Sequence, residues 1–226
     1  KAICLLSGGM DSATMAAMAI EQGFDLYAIT FDYGQRHRLE LDSARSVAKQ
    51  LGVKEHRCIT LDLRQFGGSS LTSDDSVPVG RTPDQMNDGI PSTYVPARNT
   101  IFLSFAVAWA ELLGAEDIFI GVNSLDHAGY PDCRPEYIEA YEKMARLATK
   151  SGVEGNDLHL RTPLIRMTKT QIVARGLELG IDFALTSTCY DPAPSGDACG
   201  TCDACVLRQQ AFLDNAMQDP RPYASV

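Results

Sequence analysis

The sequence predicts an α/β fold with a doubly wound, mostly parallel sheet of five strands and a small C-terminal subdomain. Short apolar runs alternate with longer segments of helical periodicity, and the apolar runs have no polar face. Strands that are apolar on both sides are typical of a sheet covered by helices on both faces. The chain has 226 residues, 45% of them hydrophobic, which is enough for one such core. We expect the main domain at residues 1–185 and the subdomain at residues 186–226.

The predicted elements follow one another along the chain. Each predicted helix has apolar residues three and four positions apart, and Gly52, Gly114 and Gly180 follow three of them as C-terminal glycines. Cys4 and Cys58 fall inside predicted strands, so we expect both in the core. The predicted strands are residues 2–6, 25–31, 55–61, 118–122 and 158–161. The predicted helices are residues 12–22, 37–51, 99–113, 168–179 and a last one from 203.

A Ser/Gly-rich hexapeptide, residues 7–12, follows the first strand directly and leads into a helix. Glycines let the backbone approach an anion closely, and the N–H groups at a helix start attract negative charge. No Gly-Lys-Ser/Thr follows, so this is not a Walker A loop. The hexapeptide resembles the SGGxDS signature of the PP-loop ATP pyrophosphatases, which implies an adenine nucleotide alpha hydrolase-like fold. The ATP-binding residues predicted at this loop are Leu6, Ser7, Gly8, Gly9, Met10, Asp11 and Ser12.

Polar and aromatic residues follow other predicted strands, at the edge where open sheets bind ligands. Phe31 and Tyr33 come after the second strand, where they could stack on adenine or belong to the core. Arg98 and Asn99 open the long apolar helix and are predicted to bind ATP and a second substrate, respectively. Asparagine is also an ordinary N-cap, and that alternative remains open for Asn99.

Two further segments carry charged candidates. Asp132 and Arg134 follow the fourth strand, and they are predicted to bind the N–H edge and the carboxylate of a substrate. A helix start capped by Asp132 is the alternative, and Cys133 is a weaker candidate for a nucleophile. Lys169 opens a helix with a Thr-x-x-Gln capping pattern. A cation at a helix start opposes the helix dipole, so we expect Lys169 to reach a polyphosphate.

Four cysteines lie close together near the end of the sequence with the spacing C-x9-C-x2-C-x2-C. Four thiolates in a tetrahedral array suit a closed, structural zinc site. An iron–sulfur cluster is an alternative, although the Cys-Pro expected at its fourth position is missing. A disulfide or free thiols are the remaining alternatives. The predicted ligands are Cys189, Cys199, Cys202 and Cys205.

The charge and the apolar runs restrict the partners. The formal net charge of −9 disfavours binding to bulk nucleic acid, which depends on lysine and arginine. No apolar run approaches the roughly 20 residues of a membrane span, and no signal-peptide pattern precedes the first strand. Clustered thiols that bind metal suit a reducing compartment. We therefore expect a cytoplasmic protein that binds neither membrane nor nucleic acid. Residues 65–96, rich in Gly, Ser, Asp and Pro, are expected to form a mobile cover or an oligomer contact.

Taken together, these motifs resemble the 7-cyano-7-deazaguanine synthase family from about residue 2 to residue 217. The segments that carry the resemblance are SGGMDS (7–12), FDYGQRH (31–37), YVPARN (94–99), PDCRPE (131–136), TPLIRMTK (162–169) and the four cysteines. The resemblance implies a ligase that forms a C–N bond, converting 7-carboxy-7-deazaguanine and ammonia to a nitrile in queuosine biosynthesis. ATP with Mg²⁺ would adenylate first the carboxylate and then the amide. A homodimer is also implied.

The resemblance also implies roles for the catalytic candidates. Lys169 would neutralise charge at the α-phosphate, while Asp11 and Ser12 would hold the pyrophosphate end, with Asp11 as a possible ligand of Mg²⁺. The alternative is a PP-loop tRNA sulfur transferase with an iron–sulfur cluster or catalytic thiols. That enzyme needs a basic RNA surface, which the net charge disfavours. A zinc-ribbon interaction module without catalysis ranks last, because it leaves the phosphate loop unexplained.

Overall fold

The computed structural model describes residues 1–86, 88–124 and 129–224, without the side chains of residues 83 and 84. Within these residues, five parallel strands form one sheet in the order β3-β2-β1-β4-β5. The strands are β1 (Ala2–Leu5), β2 (Leu26–Asp32), β3 (Glu55–Thr60), β4 (Asp117–Phe119) and β5 (His159–Arg161). The helices are α1 (Met10–Glu21), α2 (Leu39–Leu51), α3 (Pro83–Met86), α4 (Arg98–Leu113), α5 (Pro135–Ala148), α6 (Lys150–Val153), α7 (Lys169–Glu178) and α8 (Asp203–Asp214). The predicted α/β fold is confirmed.

The strand order places a crevice beside the central strand. In β1, Ile3 pairs with Tyr27 of β2 on one side and with Ile118 of β4 on the other. The chain moves outward from β1 to β2 and β3, and then returns to the opposite side of β1 as β4. In such sheets the connections after the two inner strands diverge, so ligands bind at the carboxyl ends of those strands. The fold therefore points to the ends of β1 and β4 as the site.

Strand β1 is buried on both sides, as its apolar sequence predicts. Ile3 and Leu5 pack on the face covered by α4 and α5. Ala2 and Cys4 pack on the opposite face, which is covered by α1, α2, α7 and α8. The two hydrophobic layers make β1 rigid, and a rigid strand fixes the start of the loop that follows it.

The structure corrects several predicted boundaries and one predicted core residue. Helix α2 begins at Leu39 instead of residue 37, and β4 ends at Phe119, three residues early. Helix α5 was anticipated only as a possible helix start.

Cys4 is buried as expected, but the prediction for Cys58 is wrong, because its strand β3 lies at the sheet edge and the thiol is exposed. The predicted capping box of α7 is confirmed between Thr168 and Gln171.

The segment at residues 65–96 packs against the carboxyl-end side of the sheet. Leu71 and Val77 are buried in the core, and Leu71 also borders the crevice. Gly80 donates its N–H to the carbonyl of Thr201, and Arg81 forms an ion pair with Asp203. These contacts join the segment to the C-terminal residues. In the part of the chain that the structure describes, no helix is long and apolar enough to span a bilayer.

Candidate active site

A cavity of about 240 Å³ opens between the carboxyl ends of β1 and β4. Its walls come from the hexapeptide loop, the ends of β2 and β4, the first turns of α2 and α4, and residues 187–190. Of the predicted site residues, those that border the cavity are Leu6, Ser7, Gly9, Met10, Asp11, Ser12, Phe31, Tyr33, Arg98, Asn99 and Cys189. Seven other predicted residues, all described by the structure, lie outside this lining: Gly8, Asp132, Arg134, Lys169, Cys199, Cys202 and Cys205.

The hexapeptide loop is held by its own side chains. The hydroxyl oxygens of Ser7 and Ser12 lie 3.0 Å apart, the Ser12 hydroxyl donates to the carbonyl of Gly9, and the Gly9 N–H donates to the Ser7 hydroxyl. Gly8 has a φ of +86°, and a Cβ there would lie 2.2 Å from the carbonyl oxygen of Glu40. Only glycine satisfies both requirements, so Gly8 serves the close packing of the loop on α2.

Asp11 and Lys169 form an ion pair beside the loop. The Lys169 ammonium lies 2.5 Å from Oδ2 of Asp11, and only 8% of the lysine side chain is exposed. Asn123, after β4, donates to the carbonyls of Leu164 and Met167 and so fixes the segment that leads to Lys169. Among the described residues, Oδ1 of Asp11 is buried and has no hydrogen-bond partner. This oxygen is available to a cation or a donor of a ligand.

Aromatic residues form the wall at the end of β2. The ring of Phe31 stacks on Phe102 of α4, with the centroids 3.9 Å apart. Arg98 donates to the hydroxyl of Tyr33 over 3.4 Å. Burial raises the pKa of Tyr33 to about 12, so the phenol is neutral at physiological pH. The wall thus combines apolar rings with one permanent cation, the guanidinium of Arg98.

The first turn of α4 has an unusual backbone. Ala97 lies in the left-handed region with a φ of +54°, a conformation that costs about 1–2 kcal/mol for a residue with a Cβ. The N–H of the second helical residue, Asn99, donates to the Asp132 carboxylate at 3.0 Å, and the Asn99 side-chain amide donates to the Asp132 carbonyl at 2.9 Å. Asp132 therefore caps α4 across space. Arg134, the N-cap residue of α5, is exposed.

Cys133 borders the cavity, but its environment does not activate it. Burial raises the pKa of its thiol to about 12, and the negative charge of Asp132 acts in the same direction. A cysteine acts as a nucleophile when it is a thiolate. The geometry thus offers no support for the candidate nucleophile.

Several cavity residues escaped the sequence analysis. His37 lies at the cavity wall and hydrogen-bonds the carbonyl of Cys189 through Nε2 at 2.9 Å. Glu40, in the first turn of α2, also borders the cavity. Ser187 joins the wall through its N–H, which donates to the Gly8 carbonyl at 2.9 Å. His37 ends the FDYGQRH segment, Glu40 follows it by three residues, and Ser187 lies two residues before Cys189, so each is close to a motif in the sequence. Only the tertiary packing brings the three residues together.

The four predicted metal ligands form one group. The sulfur atoms of Cys189, Cys199, Cys202 and Cys205 all lie within 4.8 Å of one another. The N–H of Cys199 donates to the sulfur of Cys189, and the N–H of Cys202 donates to that of Cys199. Four sulfurs with backbone N–H donors suit a metal cation with tetrahedral preference. The structure therefore supports a metal site in which all four ligands come from protein.

The fold and the loop define a nucleotide-binding α/β protein of the PP-loop type. The model of the family described as "Queuosine biosynthesis protein QueC" matches residues 1–216, and the chain belongs to this family. A 7-cyano-7-deazaguanine synthase of Paramagnetospirillum magneticum is 59% identical over 99% of both chains. One of Desulfatibacillum aliphaticivorans is 58% identical over 99% of this chain and 96% of that protein. The family predicted from the motifs is confirmed.

A solved structure supports the fold independently. The NMN synthetase from Francisella tularensis has a TM-score of 0.50 and 19% sequence identity, over 96% of this chain and 77% of that chain. At this identity the similarity concerns the fold alone.

Proposed function

We propose that this protein is an ATP-dependent ligase that converts 7-carboxy-7-deazaguanine and ammonia to 7-cyano-7-deazaguanine in queuosine biosynthesis. The observation that carries the proposal is the SGGMDS loop, which borders the crevice at the ends of β1 and β4 in a chain of this family. The relatives at 58–59% identity are named for this product.

The loop would bind the phosphates of ATP. Backbone N–H groups at the start of α1 are donors for pyrophosphate. The hydroxyls of Ser7 and Ser12, which hydrogen-bond within the loop, would turn towards the pyrophosphate when it binds. The substrate carboxylate attacks the α-phosphorus, the bond to the β-phosphate oxygen breaks, and pyrophosphate leaves. Lys169 is the buried cation nearest to the loop, and it would stabilise the charge on the α-phosphate in that transition state. Phe31 and Tyr33 would contact the adenine.

The later steps proceed from the acyl-adenylate. Ammonia attacks the acyl carbon, AMP leaves and a proton is released, which gives the amide. A second ATP adenylates the amide oxygen, and loss of AMP and the remaining N–H protons gives the nitrile. The role of the protein in these steps is to position the reactants and to exclude water. No nucleophilic side chain is required, which agrees with the protonated state of the Cys133 thiol.

Arg98 and Asn99 border the cavity, which supports a contact of Arg98 with ATP and of Asn99 with the deazaguanine acid. Asp132 and Arg134 remain predictions as substrate-binding residues. The Asp132 carboxylate is already engaged by the Asn99 N–H, and Arg134 is exposed. Asp132 would then act by holding Asn99 in place, and Arg134 would require a rearrangement to reach the ring.

Two metal ions belong to the proposal. Zinc fits the four-cysteine group, where it would fix the fold of residues 189–205. Mg²⁺ would accompany ATP, and the unpartnered Oδ1 of Asp11 supports a role for this carboxylate in holding it. The proposal also includes a cytoplasmic homodimer that takes ammonia as its nitrogen donor and binds neither nucleic acid nor membrane.

The decisive experiment supplies the purified protein with 7-carboxy-7-deazaguanine, ammonium and ATP. Mass spectrometry should then show the nitrile, AMP and pyrophosphate, all of which depend on the deazaguanine acid. AMP formed without any nitrile would reject the proposal. The alternative of a tRNA sulfur transferase is not favoured by the family, and thiolation of tRNA by the same sample would be its signature.

A further inference from the structure

The residue Glu40 borders the cavity, and none of the described cationic side chains forms an ion pair with its carboxylate. The residue lies in the first turn of α2 and borders the cavity together with Tyr33, Gln35 and Arg98. Among the described residues, no lysine, arginine or histidine nitrogen lies within the 4.0 Å of an ion pair with Glu40. A partly desolvated carboxylate without a cation in contact is unfavourable, and a ligand that donates hydrogen bonds to Glu40 would stabilise it.

The surroundings of Glu40 are rigid. Its own carbonyl oxygen packs on Gly8 of the phosphate loop. Gln35, the neighbouring amide, accepts from the Tyr33 N–H at 2.8 Å and donates to the Phe31 carbonyl at 3.3 Å. Burial raises the pKa of Glu40 to about 7, while Arg98 and a hydrogen bond from Gln35 oppose this effect. The backbone at Glu40 and the neighbouring Gln35 are thus held in place, and the carboxyl group is close to its ionisation midpoint at neutral pH.

We propose that Glu40 recognises the deazaguanine ring of the substrate, with its two carboxylate oxygens accepting from the ring N–H and the exocyclic amino group. This inference rests on the proposed function. An ionised carboxylate is purely an acceptor, and the ring edge of a guanine-type base offers two adjacent donors. Two parallel hydrogen bonds to one carboxylate fix the orientation of a ring as well as its identity.

The other ligands of the reaction suit Glu40 less well. Adenine has one amino group beside a ring nitrogen that is itself an acceptor, so a carboxylate facing that edge is repelled by the lone pair. Ammonium would have to bind near the permanent positive charge of Arg98, whose electrostatic influence reaches Glu40. Pyrophosphate would be repelled by the carboxylate itself. The deazaguanine ring is the ligand whose donors match the group.

Glu40→Gln tests the assignment by steady-state kinetics. The amide keeps the size of the side chain but presents an NH₂ group to one of the substrate donors. The KM for 7-carboxy-7-deazaguanine should rise by at least about tenfold, with the KM values for ATP and ammonium within about twofold of the wild type. Asp42→Asn, at an exposed carboxylate of the same helix, is the matched control and should leave all three values unchanged.

A substrate analogue gives the second arm. The analogue that lacks the exocyclic amino group should be a poorer substrate for the wild type, and Glu40→Gln should discriminate much less between the two acids. If Glu40→Gln does not fold, as judged by its thermal melting, Glu40→Asp takes its place, with the same expected loss of discrimination.

The outcomes separate this inference from the function itself. A wild type that makes no nitrile defeats both. A wild type that makes nitrile, together with a Glu40→Gln variant of unchanged KM for the acid, defeats only the role of Glu40. A rise confined to the KM for ATP, or to that for ammonium, would overturn it as well, because Glu40 would then serve adenine or ammonia.

Discussion

The ammonium group of Lys169 lies 2.5 Å from the Asp11 carboxylate, although the two residues are 158 positions apart. Both are at the starts of helices, Asp11 in the first turn of α1 and Lys169 in that of α7. An acidic residue suits a helix start, but a basic one does not. The pair therefore explains how a lysine tolerates this position, and it holds the lysine at the phosphate loop.

Lys169→Ala should lower the turnover of nitrile formation by a hundredfold or more, since a cation is lost where negative charge develops on the α-phosphate. The free energy of unfolding should fall as well, because the partly buried Asp11 carboxylate loses its partner cation. Turnover and urea unfolding of the same sample would separate the two effects. Lys150→Ala, at an exposed lysine of α6, is the control and should retain full activity. Near-normal turnover of the Lys169 variant would exclude the role.

Gly8→Ala should disrupt the phosphate loop, because the new Cβ would meet the Glu40 carbonyl at 2.2 Å. Gly23 offers a matched control, since its φ of +87° is almost that of Gly8 and nothing lies within 4 Å of its would-be Cβ. Gly23→Ala therefore carries only the backbone strain of a positive φ, about 1–2 kcal/mol. The Gly8 variant should lose more stability than this in urea titrations and should bind ATP weakly. Equal losses in the two variants would show that the contact with α2 is unimportant.

Removal of the metal should weaken the nucleotide site as well as the C-terminal fold. Residues 187–190 border the cavity, and they are tied to it by His37, which contacts the Cys189 carbonyl, and by Ser187, which donates to Gly8. A chelator that extracts the metal should lower the melting temperature and raise the Kd for ATP. Cys58→Ala, at an exposed thiol outside the group, should keep one metal per chain. A brown sample with visible absorption would show that the cysteines hold an iron–sulfur cluster and would reject the zinc assignment.

Asp219→Asn should strongly destabilise the C-terminal residues. Arg208 and Asp219 form two hydrogen bonds of 2.7 and 2.9 Å, with 2% and 4% of their side chains exposed. Breaking a buried pair leaves an uncompensated charge, so we expect a loss of about 3–5 kcal/mol in the free energy of unfolding. Glu154→Gln breaks the exposed ion pair with Lys150 and should change the free energy of unfolding by less than about 1 kcal/mol. Urea titrations would measure both, and similar values would contradict the argument.

The features that the sequence analysis could predict are mainly local ones. The phosphate loop, the capping box at Thr168 and the cysteine group each depend on neighbours within a short stretch of chain. Helix α5 was not predicted beyond a possible start, although Ile138, Tyr141 and Ala145 lie on one face at helical spacing. The sequence suggested Asp132 as a cap of the helix that follows it, but the structure has it capping α4, because its partner Asn99 is 33 positions away and belongs to another element. Glu40 escaped for the same reason, because only the packing of its helix on the loop brings it to the cavity.

The affinity for the deazaguanine acid should depend on pH through Glu40. Since the pKa of Glu40 is raised to about 7, the carboxyl is increasingly protonated below pH 7 and ionised above it. A protonated carboxyl has a donor where the substrate also has donors, so the KM for the acid should rise as the pH falls from 8 to 6 and level off above about pH 7.5.

The other ionisable groups near Glu40 should contribute little to this trend. Arg98 stays cationic, and Tyr33, with a pKa of about 12, stays neutral. Burial lowers the pKa of His37, so this imidazole is neutral over most of the range. Asp32 acts on Glu40 as a negative charge and is paired with Arg38 at 3.2 Å. Steady-state kinetics from pH 6 to 8, with ammonia kept saturating as the free base, would measure the trend. Glu40→Gln should abolish the pH dependence of this KM, and a variant that retains it would assign the titration to another group.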